Sequence, residues 1–144
     1  MPATRQESTV PGSCLCGAVG FEVTLPTLIS AHCHCSMCRR SHGAGYVTWF
    51  TLPKAQWRVT AGEDDLTRYQ SSEHGTRSFC RHCGSSLFFE TTERPEQVDI
   101  VRANMHAAID REPQLHVHFG DRVDWIEVDG VLPRLGGPTG MEPL

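Results

Sequence analysis

The run Phe79-Cys80-Arg81-His82-Cys83-Gly84 decides how the rest of this 144-residue chain is read. Two cysteines separated by two residues can grip one metal ion across a tight turn, and zinc prefers a tetrahedral set of thiolate donors. Gly84 stands where such a turn needs a positive φ and an amide aimed at sulfur. The run is only half of a site. Cys14-Leu15-Cys16, also followed by a glycine (Gly17), offers the other half. Together the four cysteines make a closed Cys₄ site that pins the start of the chain to its middle.

The remaining three of the seven cysteines fall in Cys33-His34-Cys35-Ser36-Met37-Cys38. Three protein donors leave one tetrahedral position open, the pattern of a catalytic zinc rather than a structural one. An open position takes a thiol and lowers its pKa from about 8.5, so that sulfur is a thiolate at neutral pH. That suits attack of sulfur on a small carbonyl compound. Two alternatives stand beside this reading. His32, His34 or His42 completes a second structural site, or Cys14 and Cys16 share a metal with Cys33 and Cys35.

Working outward, the segments between the cysteines read as strands. Val19, Phe21, Val23 and Leu25 alternate with Gly20, Glu22 and Thr24 until Pro26. Extended backbone through His32–Cys35 sends the two cysteines one way and the two histidines the other. Tyr46–Leu52 is rich in β-branched and aromatic residues and stops at Pro53. Further short strands are expected at Trp57–Thr60, Thr76–Phe79, Leu87–Glu90, Val98–Val101, His116–Phe119 and Trp125–Val128. Helix is invited only near Ser36 and over Asn104–Asp110. Short strands separated by turns argue for an all-β, or β-dominated, domain.

Bulk composition narrows the function. A formal net charge of -4 gives no general attraction for nucleic acid, and Arg39-Arg40 is too small a basic patch to supply one. No apolar run is long enough to span a membrane. Met1–Pro11 lacks the apolar core of a secretory signal, so a cytoplasmic address is the expectation. There, clustered cysteines mean metal or catalysis more often than disulfides, and seven thiols would leave one unpaired.

The motifs resemble the family of glutathione-dependent formaldehyde-activating enzymes, which includes the centromere protein V relatives. The resemblance runs from Gly12-Ser13-Cys14-Leu15-Cys16-Gly17-Ala18-Val19 through Cys33–Arg40, Gly43-Ala44 and Phe79–Ser85. It ends more weakly at Pro113, His116, Trp125 and Pro133. It implies a β-dominated, tent-like arrangement of antiparallel sheets with zinc-binding knuckles. It also implies two zinc ions per chain, a structural one on Cys14, Cys16, Cys80 and Cys83 and a catalytic one on Cys33, Cys35 and Cys38. The implied activity joins formaldehyde and glutathione into S-hydroxymethylglutathione, formally a carbon–sulfur lyase run in reverse. The organisation expected is a flexible leader over 1–11, the zinc-binding domain over 12–134 and a loose tail over 135–144.

No local motif announces a glutathione site. Arg39, Arg40 and Arg81 flank the cysteines and can either anchor its carboxylates or offset the charge of zinc–thiolate centres. That gap keeps a second class in view, a zinc-stabilised binding module without catalysis. His74, His106, His116 and His118 are expected to be surface or hydrogen-bonding residues. Trp49, Trp57 and Trp125 are expected to pack in or near the core, and Asp64-Asp65 to form a turn.

Overall fold

The computed structural model describes residues 8–144. Three strands form one antiparallel sheet: β1 (Thr9–Ser13), β2 (Gly20–Thr24) and β5 (Trp57–Ala61), in the order β1-β2-β5. The larger sheet has seven strands, here named in chain order. They are β3 (Ile29–Cys33), β4 (Val47–Pro53), β6 (Leu66–Gln70), β7 (Gly75–Cys80), β8 (Ser86–Thr91), β9 (Gln97–Val101) and β10 (Leu115–Val117). Their spatial order is β10-β3-β4-β9-β8-β7-β6. One helix, α1 (Ser36–His42), interrupts the strands, as the segment near Ser36 invited.

The β-dominated class follows from the alternation. Val19, Phe21 and Val23 are buried while Glu22 and Thr24 face outward. They meet Phe50 and Leu52 of β4, Leu87 and Phe88 of β8, and Val98 and Ile100 of β9 in one core between the two sheets. Phe88 lies at its centre, with the rings of Phe21 and Trp57 each 4.9 Å away and edge-on. The central strand β4 is covered on both faces. Phe50 and Leu52 enter this core, whereas Val47 and Trp49 enter a second cluster with Cys33, Cys38 and Val101.

The structure departs from the sequence reading in several places. Of the leader expected over 1–11, residues 1–7 lie outside the described residues, but Thr9–Pro11 belong to β1. Pro11 is tolerated because β1 is a sheet edge, where no partner needs its missing N–H. A side chain at Gly12 would overlap the Phe21 ring, so glycine is what lets the edge close. In the tail expected to be loose, β11 (Leu135–Gly136) pairs antiparallel with β12 (Glu142–Pro143).

Asn104–Asp110 is not a helix. A 3-10 turn covers Arg102–Asn104, and the chain then runs irregularly. Asp110 and Arg111 clamp it to Thr27: the Thr27 hydroxyl donates to Asp110 at 2.9 Å and Arg111 donates to the Thr27 carbonyl at 2.6 Å. This clamp leads the chain into β10, which pairs with β3 in parallel, the one departure from antiparallel pairing among the described strands of this sheet. Trp125–Val128 forms no strand, and Trp125 is 70% exposed rather than packed. Ile126 takes the inward place instead, against Gly45, where a Cβ would collide with it.

Phe88→Ala removes the ring on which the two sheets meet and is expected to cost about 3–5 kcal/mol. Val131→Ala, at a side chain 98% exposed, should stay within about 0.5 kcal/mol. Urea denaturation of both variants checks this, and equal shifts would contradict the packing described.

Candidate metal centres

The first cluster is built by the same local design used twice. After β1 the chain turns through Cys14–Gly17, the Gly17 amide donating to the Cys14 carbonyl at 3.1 Å with a Gly17 φ of 81°. After β7 it turns through Cys80–Gly84, the Gly84 amide donating to the Cys80 carbonyl at 2.8 Å with a φ of 77°. The Gly84 amide, expected on sulfur, therefore caps the turn. Amides that reach sulfur include those of Val19, 3.3 Å from Cys14 Sγ, and His82, 3.4 Å from Cys80 Sγ.

These turns bring Cys14, Cys16, Cys80 and Cys83 together with all four sulfurs within 4.8 Å of one another. Cys14 and Cys16 Sγ are 3.7 Å apart, and Cys16 and Cys80 Sγ 3.8 Å. All seven cysteines are free, and these separations are far beyond a disulfide of about 2.05 Å. A tetrahedron with metal–sulfur bonds of about 2.3 Å has edges of about 3.8 Å. The donor set and its spacing thus fit a thiolate-bound divalent ion, and Cys33 and Cys35 group with Cys38 rather than with Cys14 and Cys16. Ser85 braces the junction, accepting from the Leu15 amide at 2.9 Å and lying 3.2 Å from Cys83 Sγ. The Ser85 hydroxyl, with nearby backbone amides, brings the Cys83 thiol down to about 5.

The second cluster is local in sequence. Cys33 ends β3, Cys35 is the N-cap of α1 and Cys38 lies in its first turn. The Cys38 amide donates to Cys35 Sγ at 3.3 Å, which is the cap itself. Gly43, in the left-handed region at φ 62°, ends the helix. The three sulfurs lie within 4.8 Å of one another. Hydrogen bonding among the thiols, first between Cys33 and Cys35, pushes Cys33 up and Cys35 down, as expected of sulfurs close enough to share charge.

The expected alternation holds. His32 and His34 turn away from the sulfurs into a buried aromatic layer, His32 toward Thr48 Oγ1 at 2.8 Å and His34 Nε2 toward His116 Nδ1 at 2.9 Å. Burial, with His116, His32 and Arg122 nearby, lowers His34 to about 4. His42 sits one helical turn beyond Cys38, edge-on to Trp49 at 5.2 Å, and burial followed by the Arg77 guanidinium lowers it to about 4. Among the described residues, no histidine or carboxylate joins the three sulfurs as a fourth close donor. His74 and His106 are hydrogen-bonded surface residues, as expected, whereas His116 is buried.

Two adjoining cavities, of about 260 and 280 Å³, lie between the end of α1 and the Cys80–Cys83 turn and share Ser41, His42, Gly84 and Ser86. Arg77 of β7 lines the first and reaches Cys38 Sγ with Nη2 at 3.7 Å. Sequence reasoning missed it, naming Arg39, Arg40 and Arg81 instead. Arg39 reaches the His34 carbonyl at 3.4 Å, Arg40 is exposed, and Arg81 pairs with Asp65 at 3.0 Å.

The sequence pattern of the family described as "GFA: Glutathione-dependent formaldehyde-activating enzyme" matches residues 9–121. A Halomonas elongata protein named "Putative glutathione-dependent formaldehyde-activating enzyme" is 30% identical over 125 residues, covering 82% of this chain and 80% of its own. A Schizosaccharomyces pombe protein named as an uncharacterized lyase is 22% identical over 131 residues, covering 84% and 93%. A Rhodobacter sphaeroides crystal structure superposes with a TM-score of 0.59 at 33% identity, covering 70% of this chain and 92% of its own.

The two clusters differ in what they tie together, and removal of one thiol should expose it. Cys80 is fully buried and joins the turns of two different sheets. Cys80→Ser should lose one metal ion and lower the melting temperature sharply or give insoluble protein. Cys38→Ser opens only a short local turn and should lose one ion with a much smaller change in melting. Metal analysis with thermal melting checks both, and equal destabilisation would contradict the difference.

Proposed function

This chain belongs to the family of glutathione-dependent formaldehyde-activating enzymes, and from that membership we propose that it is a zinc enzyme of carbon–sulfur chemistry. It joins a thiol such as glutathione to a small aldehyde such as formaldehyde, giving S-hydroxymethylglutathione or a related adduct. The observation that supports this best is the inequality of the two clusters. Four thiols close one, whereas Cys33, Cys35 and Cys38 have no fourth close donor among the described residues, and Arg77, which hydrogen-bonds to Cys38 Sγ, lines a neighbouring cavity. In this reading Cys14, Cys16, Cys80 and Cys83 hold a structural zinc and Cys33, Cys35 and Cys38 the catalytic one. Zinc, when bound there, would act as a Lewis acid able to lower the pKa of a substrate thiol.

The reaction forms one C–S bond while the carbonyl π pair moves to oxygen. The thiol gives up a proton and the new hydroxyl takes one. Ser41 and His42 line the cavity beside Arg77, whose guanidinium bonds to both Ser41 and Cys38. His42, kept neutral near pH 7 by its burial, has a ring nitrogen able to accept a proton. Trp49 and Tyr69 line the same cavity. No helix is long and apolar enough to cross a membrane, and free thiols suit a reducing compartment, so the proposal places the protein in the cytoplasm.

A second reading, a zinc-stabilised binding module without catalysis, draws on one observation. Arg77 is the one cationic side chain among the residues lining these two cavities once His42 is neutral. Glutathione carries two carboxylates, so its charge is matched only in part. Incubation of the zinc-loaded protein with glutathione and formaldehyde, followed by two-dimensional exchange NMR, separates the readings. The enzyme reading expects adduct exchange well above the uncatalysed rate and its loss in Cys38→Ser. Exchange at the uncatalysed rate would sink the reaction and leave the module.

A further inference from the structure

Arg77 has an unusual set of neighbours for a half-buried cation. It lies in the middle of β7, opposite Tyr69 of β6 and Phe89 of β8. Its guanidinium sits 5.0 Å from the Phe89 ring centroid. Nη1 donates to Ser41 Oγ at 3.2 Å and Nη2 to Cys38 Sγ at 3.7 Å, while Nε is buried without a partner. Among the described residues no carboxylate forms an ion pair with it. Cys38 Sγ, 3.7 Å away, is a group able to balance its charge.

Among the described residues, the four-thiol junction has no such cation. Its sulfurs are met by the Val19 and His82 amides and the Ser85 hydroxyl, and Arg81, in the same turn, is drawn away to Asp65. Among the described hydrogen bonds, a guanidinium reaches sulfur only at the three-thiol cluster.

Charge counting gives that contrast a purpose. Three thiolates on a divalent ion leave one net negative charge, and a fourth anionic donor makes two. Away from bulk water that repulsion costs several times what it does in solvent. A guanidinium hydrogen-bonded to one of the thiolates offsets it and also draws electron density from that sulfur. A neutral fourth donor would gain nothing comparable.

We infer that Arg77 is a positioning residue that makes the Cys33/Cys35/Cys38 centre select an anionic fourth donor, a thiolate above all, over a neutral one. The inference rests on the proposed reading of this centre as open and metal-binding. Arg77 does so from the strand that also carries Cys80, so the guanidinium is held in place by the closed junction at the end of β7.

The test uses the full chain loaded with cobalt(II), whose absorption reports donor exchange, titrated separately with azide, imidazole and glutathione. Wild type is compared with Arg77→Met, Arg77→Gln and Arg77→Lys, with melting curves for each. The neutral variants should bind azide and glutathione at least about tenfold more weakly while imidazole changes by less than about twofold, and lysine should restore most of the anion preference. Arg77→Gln, which keeps a polar neutral side chain, carries the test should the methionine variant lose cobalt. Anion and imidazole affinities that fall together, or anion affinity unchanged in both neutral variants, would overturn the inference. So would a wild-type centre that binds no azide. A wild type that takes azide but not glutathione would overturn the proposed reaction and leave Arg77's role standing.

Discussion

The contact between two short turns, Cys14–Gly17 and Cys80–Gly84, is the constraint the rest of the molecule hangs from. Each turn is stabilised locally by a glycine amide on a cysteine carbonyl. Each comes from a different sheet, and their four sulfurs converge to metal-binding spacing. The hydrophobic core between the sheets then has its register imposed at one end. Phe21 follows the first turn and Phe88 the second, each a few residues downstream, and their rings meet edge-on. The same junction fixes the end of β7, and with it the strand from which Arg77 reaches across to α1.

The second cluster is organised by the two-residue period of a single strand end. Cys33 faces the sulfur cluster, its neighbours His32 and His34 face the opposite side, and α1 then returns Cys35 and Cys38 to the side of Cys33. The histidines are thereby kept out of the donor set by geometry. Burial lowers the pKa of both, and each ring packs against His116 and Tyr46. One face of the stretch carries the sulfurs that could hold a metal ion and the other serves packing.

What the sequence made legible was whatever lies close along the chain. Cysteines two or three residues apart, glycines after them and alternating β-branched residues each carry their geometry in their spacing. Arg77 could not be seen that way, because between Thr76 and Ser78 it reads as an ordinary outward strand residue. Only pairing with β8 and the approach of α1 turn it toward Cys38. Thr9–Ser13 was hidden by Pro11 and Gly12, residues that disfavour strands except at an edge. Trp125 misled because a large aromatic side chain in a short apolar run reads as a core residue. Once Gly45 makes room for Ile126, the tryptophan is left outside.

The parallel pairing of β10 with β3 carries a consequence for how the protein is made. Cys33 lies opposite Val117, and the His34 amide donates to the Val117 carbonyl at 3.0 Å. The back wall of the three-thiol cluster is therefore supplied by a segment some eighty residues downstream. Contacts of such sequence separation close late, since their loop entropy must be met before they contribute. During synthesis Cys33, Cys35 and Cys38 emerge from the ribosome well before that wall exists. The nascent chain thus passes through an interval in which three neighbouring thiols are open to oxidants and to competing metal ions.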